Sequence, residues 1–523
     1  MKLRIFPLVL ALTLTACGGG GGGTPAPVAP PPVVTIPPSS GSAQQCAADN
    51  PYRADADVAA QTGTLAVEKQ WIRSYFDEAY LWYDSVPSVD PAAALYSGSM
   101  TALDPSAVPL PLANYFEALK TKTLTPSGTL TDHFSFSYPT KAWNQLIQSG
   151  VTAGYGIEWT AINSKAPNRL WRVALVQPRS PAADAGLLRG DTLKTVDGVD
   201  FANSADVATL NAGLLPRLGT THTLAFSRGA SPDISASLLS SDITIDPVPI
   251  TSVVTDPAGH RVGYLHFTDH IASSEAKLIA AISTLQAQNV NDLVLDMRYN
   301  GGGYLYIASE LAYMIAGPTR AAGKYFYKSQ FNAKRTADNA QAPTPFYNTS
   351  CFLNAAGNCT NQQALPTLNL SRVFVIGTAD TCSASEAVIN GLRGVDVDVQ
   401  LIGSTSCGKP YGFTAKDNCG VSYFPIEFRG ANYKGFGDYA DGFSPTSGAV
   451  SNTNLAGCAS TDDLGKPLGS PTERMLSAAL QRAAYGNCPA PSVAIRHVAL
   501  PVGRLQRSPA REVSIALPSN GTR

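Results

Sequence analysis

The sequence lacks the features of several large functional classes. Its 38 lysines and arginines nearly balance 39 aspartates and glutamates, so a formal net charge of −1 gives no electrostatic reason to expect a nucleic-acid partner. No Cys-x-x-Cys pair occurs, and the six histidines show no metal-ligand spacing. The 523 residues, 44% of them hydrophobic, leave room for about three globular domains. Composition therefore argues against nucleic-acid binding and against a metal site.

Neither of the common nucleotide-binding motifs is complete. Residues 296–304 read DMRYNGGGY, and these contiguous glycines do not fit G-x-G-x-x-G. Gly403, Gly408 and Lys409 match the start of a phosphate-binding loop, but Pro410 stands where that motif needs Ser or Thr to hold magnesium. We therefore interpret the glycine turn as a source of backbone N–H groups for an oxyanion. Lys409 is either an exposed, solvated lysine or a desolvated base for a serine nucleophile.

The N-terminus has no apolar run long enough to span a bilayer as a helix. Two basic residues precede the apolar residues 5–14. The following LTAC, residues 14–17, resembles a bacterial lipobox, which implies export, cleavage before Cys17 and lipid attachment to its sulfur. An ordinary signal peptide with an incidental cysteine is the alternative. Gly18 after the cysteine favours anchoring in the outer membrane, with the body facing the periplasm or the surface.

A flexible tether and a set of disulfides are expected next. Residues 18–60 begin with glycines and continue rich in proline, which predicts a linker without a fold. An even number of cysteines remains after Cys17, and in an exported protein this indicates disulfides. Cys351 with Cys359 would close a short loop, whereas the other pairings stay open. The eight cysteines are Cys46, Cys351, Cys359, Cys382, Cys407, Cys419, Cys458 and Cys488.

The remaining chain predicts a multidomain α+β protein that starts with a small helical domain, residues 61–150. One helix is expected over residues 68–87, ending at Pro87, and a second over residues 111–122. The first carries a largely aromatic stripe on one face, which we interpret as core packing. Its members are Trp71, Tyr75, Ala79 and Trp82.

Residues 151–247 resemble a PDZ domain, a β-sandwich or barrel with two helices. SPAADAGLLRGDTLKTVDG, residues 180–198, predicts a turn, a short helix, and a strand that ends at a second turn. Tyr155, Gly156 and Ile157 match the loop with which PDZ domains bind a terminal carboxylate, beside a sheet edge that takes up an extended peptide. A PDZ-like module that packs internally and binds nothing is the alternative.

Residues 248–490 alternate strands with helices, which predicts an α/β region. The expected strands are residues 261–267, 292–298, 372–377 and 397–403, and the expected helices are residues 273–288, 304–317, 384–394 and one that begins at Pro471. Residues 491–523 are basic and contain proline, which predicts a disordered tail.

The stretch TCSASEAVIN, residues 381–390, places two serines at a strand-to-helix junction. A serine there commonly caps the helix, because its oxygen accepts an otherwise unpaired backbone N–H. It can also be a nucleophile, since Ser-Lys pairs are known variants of that chemistry. His266 and His270, near a strand end, are other candidate bases, but no local signature identifies the acidic partner that a histidine base would need.

Together these regions resemble the carboxyl-terminal processing peptidases, also called tail-specific proteases, over about residues 64–488. The family's strand and turn, D-x-R-x-N-x-G-G, is matched by residues 296–303, including Gly302 and Gly303. Ser383 is the first serine of the family's S-A-S-E motif, and Lys409 is the lysine of its G-K motif. The resemblance implies that Ser383 is the nucleophile and Lys409 the general base, while Ser385 supports the helix start.

The same resemblance implies the rest of the expected activity. The core would be a crotonase- or ClpP-like peptidase fold, and the oxyanion hole would combine the Ala384 N–H with that of Gly302 or Gly303. The protein would be a serine endopeptidase that takes polypeptide substrates by an unstructured C-terminus at the PDZ domain. The resemblance implies no metal, nucleotide or organic cofactor.

Two features depart from the family pattern. Many members have a glutamine four residues after the lysine that helps to orient it, and Phe413 stands there in this chain. The spacing from Ser383 to Lys409 is also one residue longer. Cys382 and Cys407 flank the two candidates, and a disulfide between them that braces the dyad is a further hypothesis. A catalytically silent PDZ scaffold of the cell envelope and a hydrolase of non-peptide acyl groups are the alternative functions.

Overall fold

The computed structural model describes residues 36–101, 107–354, 358–489 and 514–515. Cys17, with the predicted lipobox, lies outside these residues, as does the predicted tail apart from 514–515. No helix in the described ranges is both long and apolar enough to cross a membrane.

The N-terminal region combines two main helices with short strands. Its elements are β1 Gln45–Ala47, β2 Gln61–Gly63, α1 Leu65–Ala79, α2 Leu110–Leu119, β3 Phe136–Pro139 and α3 Thr140–Asn144, with single-turn 3₁₀ helices at Ser39–Gly41, Arg53–Asp55, Tyr83–Ser85 and Ala94–Tyr96 and a π-turn at Gln145–Ser149. The helix predicted up to Pro87 ends at Ala79, because Tyr80 is extended and its hydroxyl donates to Asp132. Trp71, Tyr75 and Ala79 are buried as expected.

The linker predicted over residues 18–60 is wrong for its described part. Cys46 forms a disulfide with Cys419, 373 residues later, and β1 pairs with β2. The buried Glu68 carboxylate accepts hydrogen bonds from Ala47 N at 2.7 Å and from Asn50 Nδ2 at 3.0 Å. Contacts this distant in sequence fold a segment whose composition alone is typical of a tether.

The predicted helical domain does not close a core of its own. Trp71, Phe76 and Phe116 belong to the same buried cluster as Tyr423 and Phe424 of the α/β region. β3 also pairs with β24 in a three-stranded sheet, β23-β24-β3. The N-terminal helices are therefore packed onto the α/β region.

The region predicted to be a PDZ domain closes a separate buried cluster around Trp171, Leu193 and Phe226. The elements are β4 Val151–Gly154, β5 Ile157–Asn163, β6 Leu170–Val176, α4 Pro181–Asp184, β7 Thr192–Val196, β8 Val199–Asp200, α5 Val207–Leu214, β9 Thr221–Ser227, β10 Ile234–Leu239 and β11 Ser241–Thr244. The sheet has the order β10-β9-β7-β6-β5, with β8 beside β7, so β5 is an edge strand.

The α/β region is built on a seven-stranded sheet of order β12-β13-β14-β20-β21-β27-β26, parallel apart from the β12–β13 pair. The elements are β12 Ile250–Thr255, β13 Arg261–His266, α6 Ser274–Ala287, β14 Asp292–Asp296, β15 Gly303–Tyr304, α7 Leu305–Ala321, β16 Tyr325–Phe331, α8 Thr336–Asn339, β17 Thr344–Pro345, β18 Phe352–Leu353, β19 Cys359–Thr360, β20 Arg372–Gly377, α9 Ala384–Gly394, β21 Asp398–Gly403, β22 Tyr411–Gly412, β23 Lys416–Asn418, β24 Val421–Phe424, β25 Phe428–Ala431, β26 Ser444–Thr446, β27 Asn454–Ala459, α10 Arg474–Tyr485 and β28 Ser514–Ile515.

Alternate residues of the central strands pack against helices on opposite faces. Leu293 and Leu295 join the cluster that contains α6, α7 and α9, whereas Val294 joins the cluster that contains α10. This period of two is what a strand buried on both faces requires. The predicted start of the last helix at Pro471 is wrong by three residues, because the Glu473 carboxylate caps it by accepting from Leu476 N at 3.0 Å.

Candidate active site

Three loops meet at the carboxyl ends of neighbouring parallel strands. β14 leads into the glycine turn, β20 leads to Ser383, and β21 leads to Lys409. In α/β sheets this edge is the usual position of a ligand site, because the loops there converge. The strand order therefore brings the predicted nucleophile, base and oxyanion donors to one place.

Ser383 is held in a strained conformation at the start of α9. Its φ of 61° lies in the left-handed region, where a residue with a side chain is uncommon and costs free energy. The residue is 1% exposed, and its hydroxyl has no hydrogen-bond partner among the residues described. Ser383 and Glu386 are placed as in a capping box, but the Ser383 hydroxyl forms no hydrogen bond among the residues described, which leaves its oxygen available for chemistry.

The carboxylate of Glu386 connects the nucleophile loop to the lysine loop. Its Oε2 accepts hydrogen bonds from Ser383 N at 3.0 Å and from Lys409 N at 2.8 Å. Its Oε1 accepts from Gly408 N at 2.9 Å and from Ser406 Oγ at 2.6 Å. Burial raises the pKa of Glu386, whereas these four donors favour the anion and oppose that rise.

Lys409 extends into a buried aromatic environment. Its Nζ lies 4.9 Å from the ring centre of Phe413 and 5.1 Å from that of Phe134, and the residue is 1% exposed. Aromatic faces attract an ammonium group through the ring quadrupole, more strongly when water is excluded. Phe413, which departs from the family pattern, therefore contacts the lysine directly.

A disulfide joins Cys382, next to Ser383, to Cys407, two residues before Lys409. The pairing confirms the hypothesis drawn from their flanking positions. Cys351–Cys359 is also confirmed, and Cys458–Cys488 and Cys46–Cys419 settle the pairings that the sequence left open. The sulfurs of Cys382 and Cys407 and the Glu386 carboxylate lie close enough together to resemble a set of metal ligands. Metals bind cysteine as the thiolate, however, and these two sulfurs are joined in a disulfide.

The glycine turn is fixed by Asn300. The side-chain oxygen of Asn300 accepts from Gly302 N at 3.0 Å, and its backbone oxygen accepts from Ser385 Oγ and from Cys382 N, both at 3.0 Å. The Gly302 N–H can therefore serve an oxyanion only after its bond to Asn300 breaks. Ser385 ties the start of α9 to the turn, which agrees with its expected supporting role.

Gly303 must be a glycine at this position. Its φ is 136°, and a Cβ placed on it would lie 2.2 Å from the backbone oxygen of His270. No side chain fits that distance, so glycine is required for the close approach of the two segments.

Buried charges beneath the turn hold it to the sheet. Arg298 pairs with Asp296 at 2.7 Å and with Glu473 at 3.0 Å, and all three side chains are fully buried. Burial is the largest influence and disfavours the Asp296 carboxylate, but the interactions with Arg298, His266 and Tyr264 together lower the pKa of Asp296. The first two charged positions of the strand-turn motif therefore have a structural role.

The two histidines considered as alternative bases are buried and neutral. Burial lowers the pKa of His266 to about 4 and that of His270 to about 3. His270 Nδ1 lies 3.0 Å from Asn300 Oδ1. Neither ring hydrogen-bonds the Ser383 hydroxyl within the described chain. Both rings are therefore parts of the support under the turn.

A cavity of about 820 Å³ links the predicted carboxylate-binding loop to the glycine turn. Its lining includes Tyr155, Gly156, Ile157 and Leu214 at one end and Gly302 at the other. Gly156 has a φ of 80°, and a Cβ there would lie 2.4 Å from the Cβ of Ser180. The edge strand β5 begins directly after this glycine.

Sequence reasoning missed two contributors to the site. Phe134 comes from the N-terminal region, and nothing near it in sequence indicates a contact with Lys409. Glu386 stood inside the S-A-S-E motif without an assigned role, although a glutamate three residues after a helix-capping serine is a known signal for a hydrogen bond back to that residue.

Residues 261–416 match peptidase family S41. The chain is 28% identical over 168 residues to the carboxyl-terminal-processing protease of a Picosynechococcus species, covering 32% of this chain and 39% of the relative. It is 25% identical over 247 residues to the carboxy-terminal processing protease CtpB of Bacillus subtilis, covering 46% of this chain and 44% of the relative. These matches span less than half of either relative's length.

A crystal structure described as an S41 protease from Bacteroides fragilis aligns over 79% of this chain and 97% of that one, with a TM-score of 0.55 and 23% identity. This likeness shows a shared mixed α/β fold, whereas the relation to the crotonase and ClpP folds stays a prediction. The match to family S41 covers the strands that carry the glycine turn, Ser383 and Lys409. With residues 261–416 matching peptidase family S41, the chain is similar over that region to carboxyl-terminal processing proteases.

Proposed function

We propose that this protein is a serine endopeptidase with Ser383 as nucleophile and Lys409 as general base. The observation that carries the proposal is the convergence of the Ser383 and Lys409 N–H groups on one oxygen of Glu386. It joins the two loops beside a serine whose hydroxyl is not used structurally. The sequence match to carboxyl-terminal-processing proteases supports polypeptides as the substrate class.

In the proposed reaction, Ser383 Oγ attacks the carbonyl carbon of the scissile peptide bond while Lys409 Nζ takes its proton. The lysine then gives that proton to the leaving amine, and an acyl-enzyme remains. Water then attacks the acyl carbonyl carbon while Lys409 Nζ takes its proton, and the lysine returns that proton to Ser383 Oγ as the ester bond breaks and the carboxylic acid product leaves. The Ala384 N–H and a glycine N–H of the turn, Gly303 or Gly302, would stabilise each oxyanion.

The first test follows cleavage of an unfolded protein by the purified full chain and its variants. Ser383→Ala and Lys409→Ala should each lower kcat by at least about 10³-fold, since nucleophile and base act as one unit. The exposed Ser404→Ala and Lys416→Ala are matched controls that should retain activity. Cleavage that survives Ser383→Ala would reject the assignment.

A fluorophosphonate probe separates the alternatives, because it phosphonylates an activated serine whatever the natural substrate is. We expect one adduct, mapped to Ser383 by peptide mass, which Ser383→Ala abolishes. An adduct with no cleavage of polypeptides and hydrolysis of esters would favour the acyl hydrolase. No adduct and no cleavage would favour the silent scaffold.

We further propose that residues 151–247 act as a PDZ domain that captures an unstructured C-terminus. The strand β5 lies at the edge of its sheet, which is where strand addition takes place, and the cavity beside Gly156 continues to the glycine turn. Leu214→Asp in the cavity wall should raise KM for a substrate with a free C-terminal carboxylate. The same substrate amidated at its C-terminus should show equal KM values for wild type and variant.

The cellular location is a separate proposal: a lipid anchor at Cys17 holds the body at the outer membrane, facing the periplasm or the surface. Four disulfides support an oxidising compartment. In an outer-membrane fraction, the wild type should incorporate labelled fatty acid and Cys17→Ala should not. Equal labelling of both proteins would overturn the anchor.

A further inference from the structure

A short strand from far along the chain lies at the glycine turn. β28, Ser514–Ile515, pairs in parallel with β15, so that Gly303 is opposite Ser514 and Tyr304 opposite Ile515. It also contacts β22, which begins two residues after Lys409. The strand therefore contacts both the turn that carries Gly303 and the segment that follows Lys409.

The two edges of β15 differ in what they can accept. On one side, Gly303 forms a parallel bridge with His270, and Tyr304 N donates to the His270 oxygen at 2.8 Å. That side is closed by a segment leading directly into α6. β28 occupies the opposite edge of β15. The backbone groups of β15 on that edge can pair with any extended polypeptide, because such pairing does not depend on side chains.

This edge coincides with the place where a substrate carbonyl must lie. Gly303 is a candidate oxyanion donor, and the preceding Asn300 is joined to Cys382 and Ser385 around the nucleophile. A polypeptide paired with β15 passes these groups in an extended conformation, which exposes its peptide bonds to attack. β28 therefore lies where the substrate of the proposed peptidase would lie.

We infer that the edge of β15 opposite His270 is a strand-addition subsite for an extended polypeptide, and that the chain's own 514–515 segment occupies it as a reversible internal competitor. The inference rests on the proposed function for the nature of the external occupant. Ser514 follows the disulfide-bonded Cys488 by 26 positions, a length that can span up to about 85 Å when extended. Reach therefore does not prevent the segment from leaving and returning.

The test uses the full chain carrying Ser383→Ala, so that nothing is cleaved. The probe is a fluorescein-labelled peptide of residues 510–519, AREVSIALPS, whose Kd is measured by anisotropy. Ser514→Pro with Ile515→Pro removes both N–H groups and disfavours pairing, whereas Ser514→Ala with Ile515→Val is the matched control. An internal competitor at about 1 mM with a Kd of about 0.25 mM weakens probe binding about fivefold.

We therefore expect the proline variant to bind the probe about fivefold more tightly than the parent or the control variant. A probe methylated on the backbone nitrogens of Ser514 and Ile515 should lose this binding. Equal Kd values for all three proteins, no measurable binding to any, or unchanged binding of the methylated probe would each overturn the inference.

A second readout separates this inference from the proposed function. In chains with Ser383 intact, the proline variant should show an about fivefold lower KM for an unfolded protein substrate and an unchanged kcat. If no chain cleaves the substrate, the proposed peptidase activity is rejected. The binding of the probe still tests the strand-addition subsite in that case. Cleavage with the same KM in the proline variant and the parent would support the peptidase activity and reject the internal competitor.

Discussion

Glu386 accepts a hydrogen bond from the backbone N–H of Lys409 at 2.8 Å, across 23 residues of sequence, with the same oxygen that accepts from Ser383. This carboxylate touches neither reacting atom, so it is a positioning residue. It sets the relative position of two loops whose own sequences do not determine it.

Glu386→Gln should therefore lower kcat by about 10- to 100-fold, because the amide presents donors where backbone N–H groups need an acceptor, and small displacements of reacting groups are costly. Fluorophosphonate labelling of Ser383 should slow by a similar factor. Val388→Ala, buried on the same helix, is the control for lost stability. Equal slowing in both variants at matched unfolding temperature would reject the positioning role.

Phe413 should matter through its aromatic face. Phe413→Leu keeps an apolar side chain but removes the interaction with Lys409 Nζ, 4.9 Å from the ring centre. Because a cation–π contact contributes about 0.5 to 2 kcal/mol, Phe413→Leu should lower kcat by about two- to thirtyfold. Phe413→Tyr should retain activity, and Phe413→Leu with wild-type kcat would show that apolar packing alone suffices.

Removing the Cys382–Cys407 disulfide should affect catalysis as well as stability. Replacing both cysteines by alanine should cost about 3.5 kcal/mol of unfolding free energy for a separation of 25 residues. It should also lower kcat, because the bond joins the segments beside Ser383 and Lys409. The Cys351–Cys359 pair, eight residues apart, is the control, and its removal should cost about 2.5 kcal/mol with kcat unchanged.

The buried histidines should make the protein sensitive to acid. Because their folded pKa values, about 4 for His266 and about 3 for His270, lie below the unfolded value of about 6.5, stability is complete above about pH 6.5 and falls as the pH drops. At pH 5, each of the two histidines should lower the free energy of unfolding by about 2 kcal/mol. His270→Gln should remove its share of the loss in chemical denaturation between pH 7.5 and 5, whereas the exposed His133→Gln should not.

Local patterns predicted the parts of the fold that depend on local physics. Helix α9 has the bounds expected from residues 384–394, and β20 those expected from residues 372–377, because each combines a clear period with end signals. Pairings between distant segments could not be predicted in this way. Residues 36–60 were interpreted as tether because their partners, such as Cys419, lie hundreds of positions away.

In the candidate active site, too, local motifs predicted some residues, whereas others depend on contacts between distant segments. The identities of Ser383, Lys409 and the glycine turn followed from motifs, since each motif lies within ten residues. Phe134 could not be predicted, because its approach to Lys409 depends on how the neighbouring strand β3 pairs with β24. Phe413 was noted as a departure from the family pattern, but only the structure shows that it contacts the lysine.

The Cys46–Cys419 bond also orders events in time. A ribosome adding about 5 to 20 residues per second needs about 20 to 75 s to make the 373 residues that separate the two cysteines. Cys351, Cys359, Cys382 and Cys407 are all made during that interval, and each is close in sequence to its own partner. Cys46 therefore has no correct partner during that interval, whereas both cysteines of each of the two pairs nearer in sequence are already present.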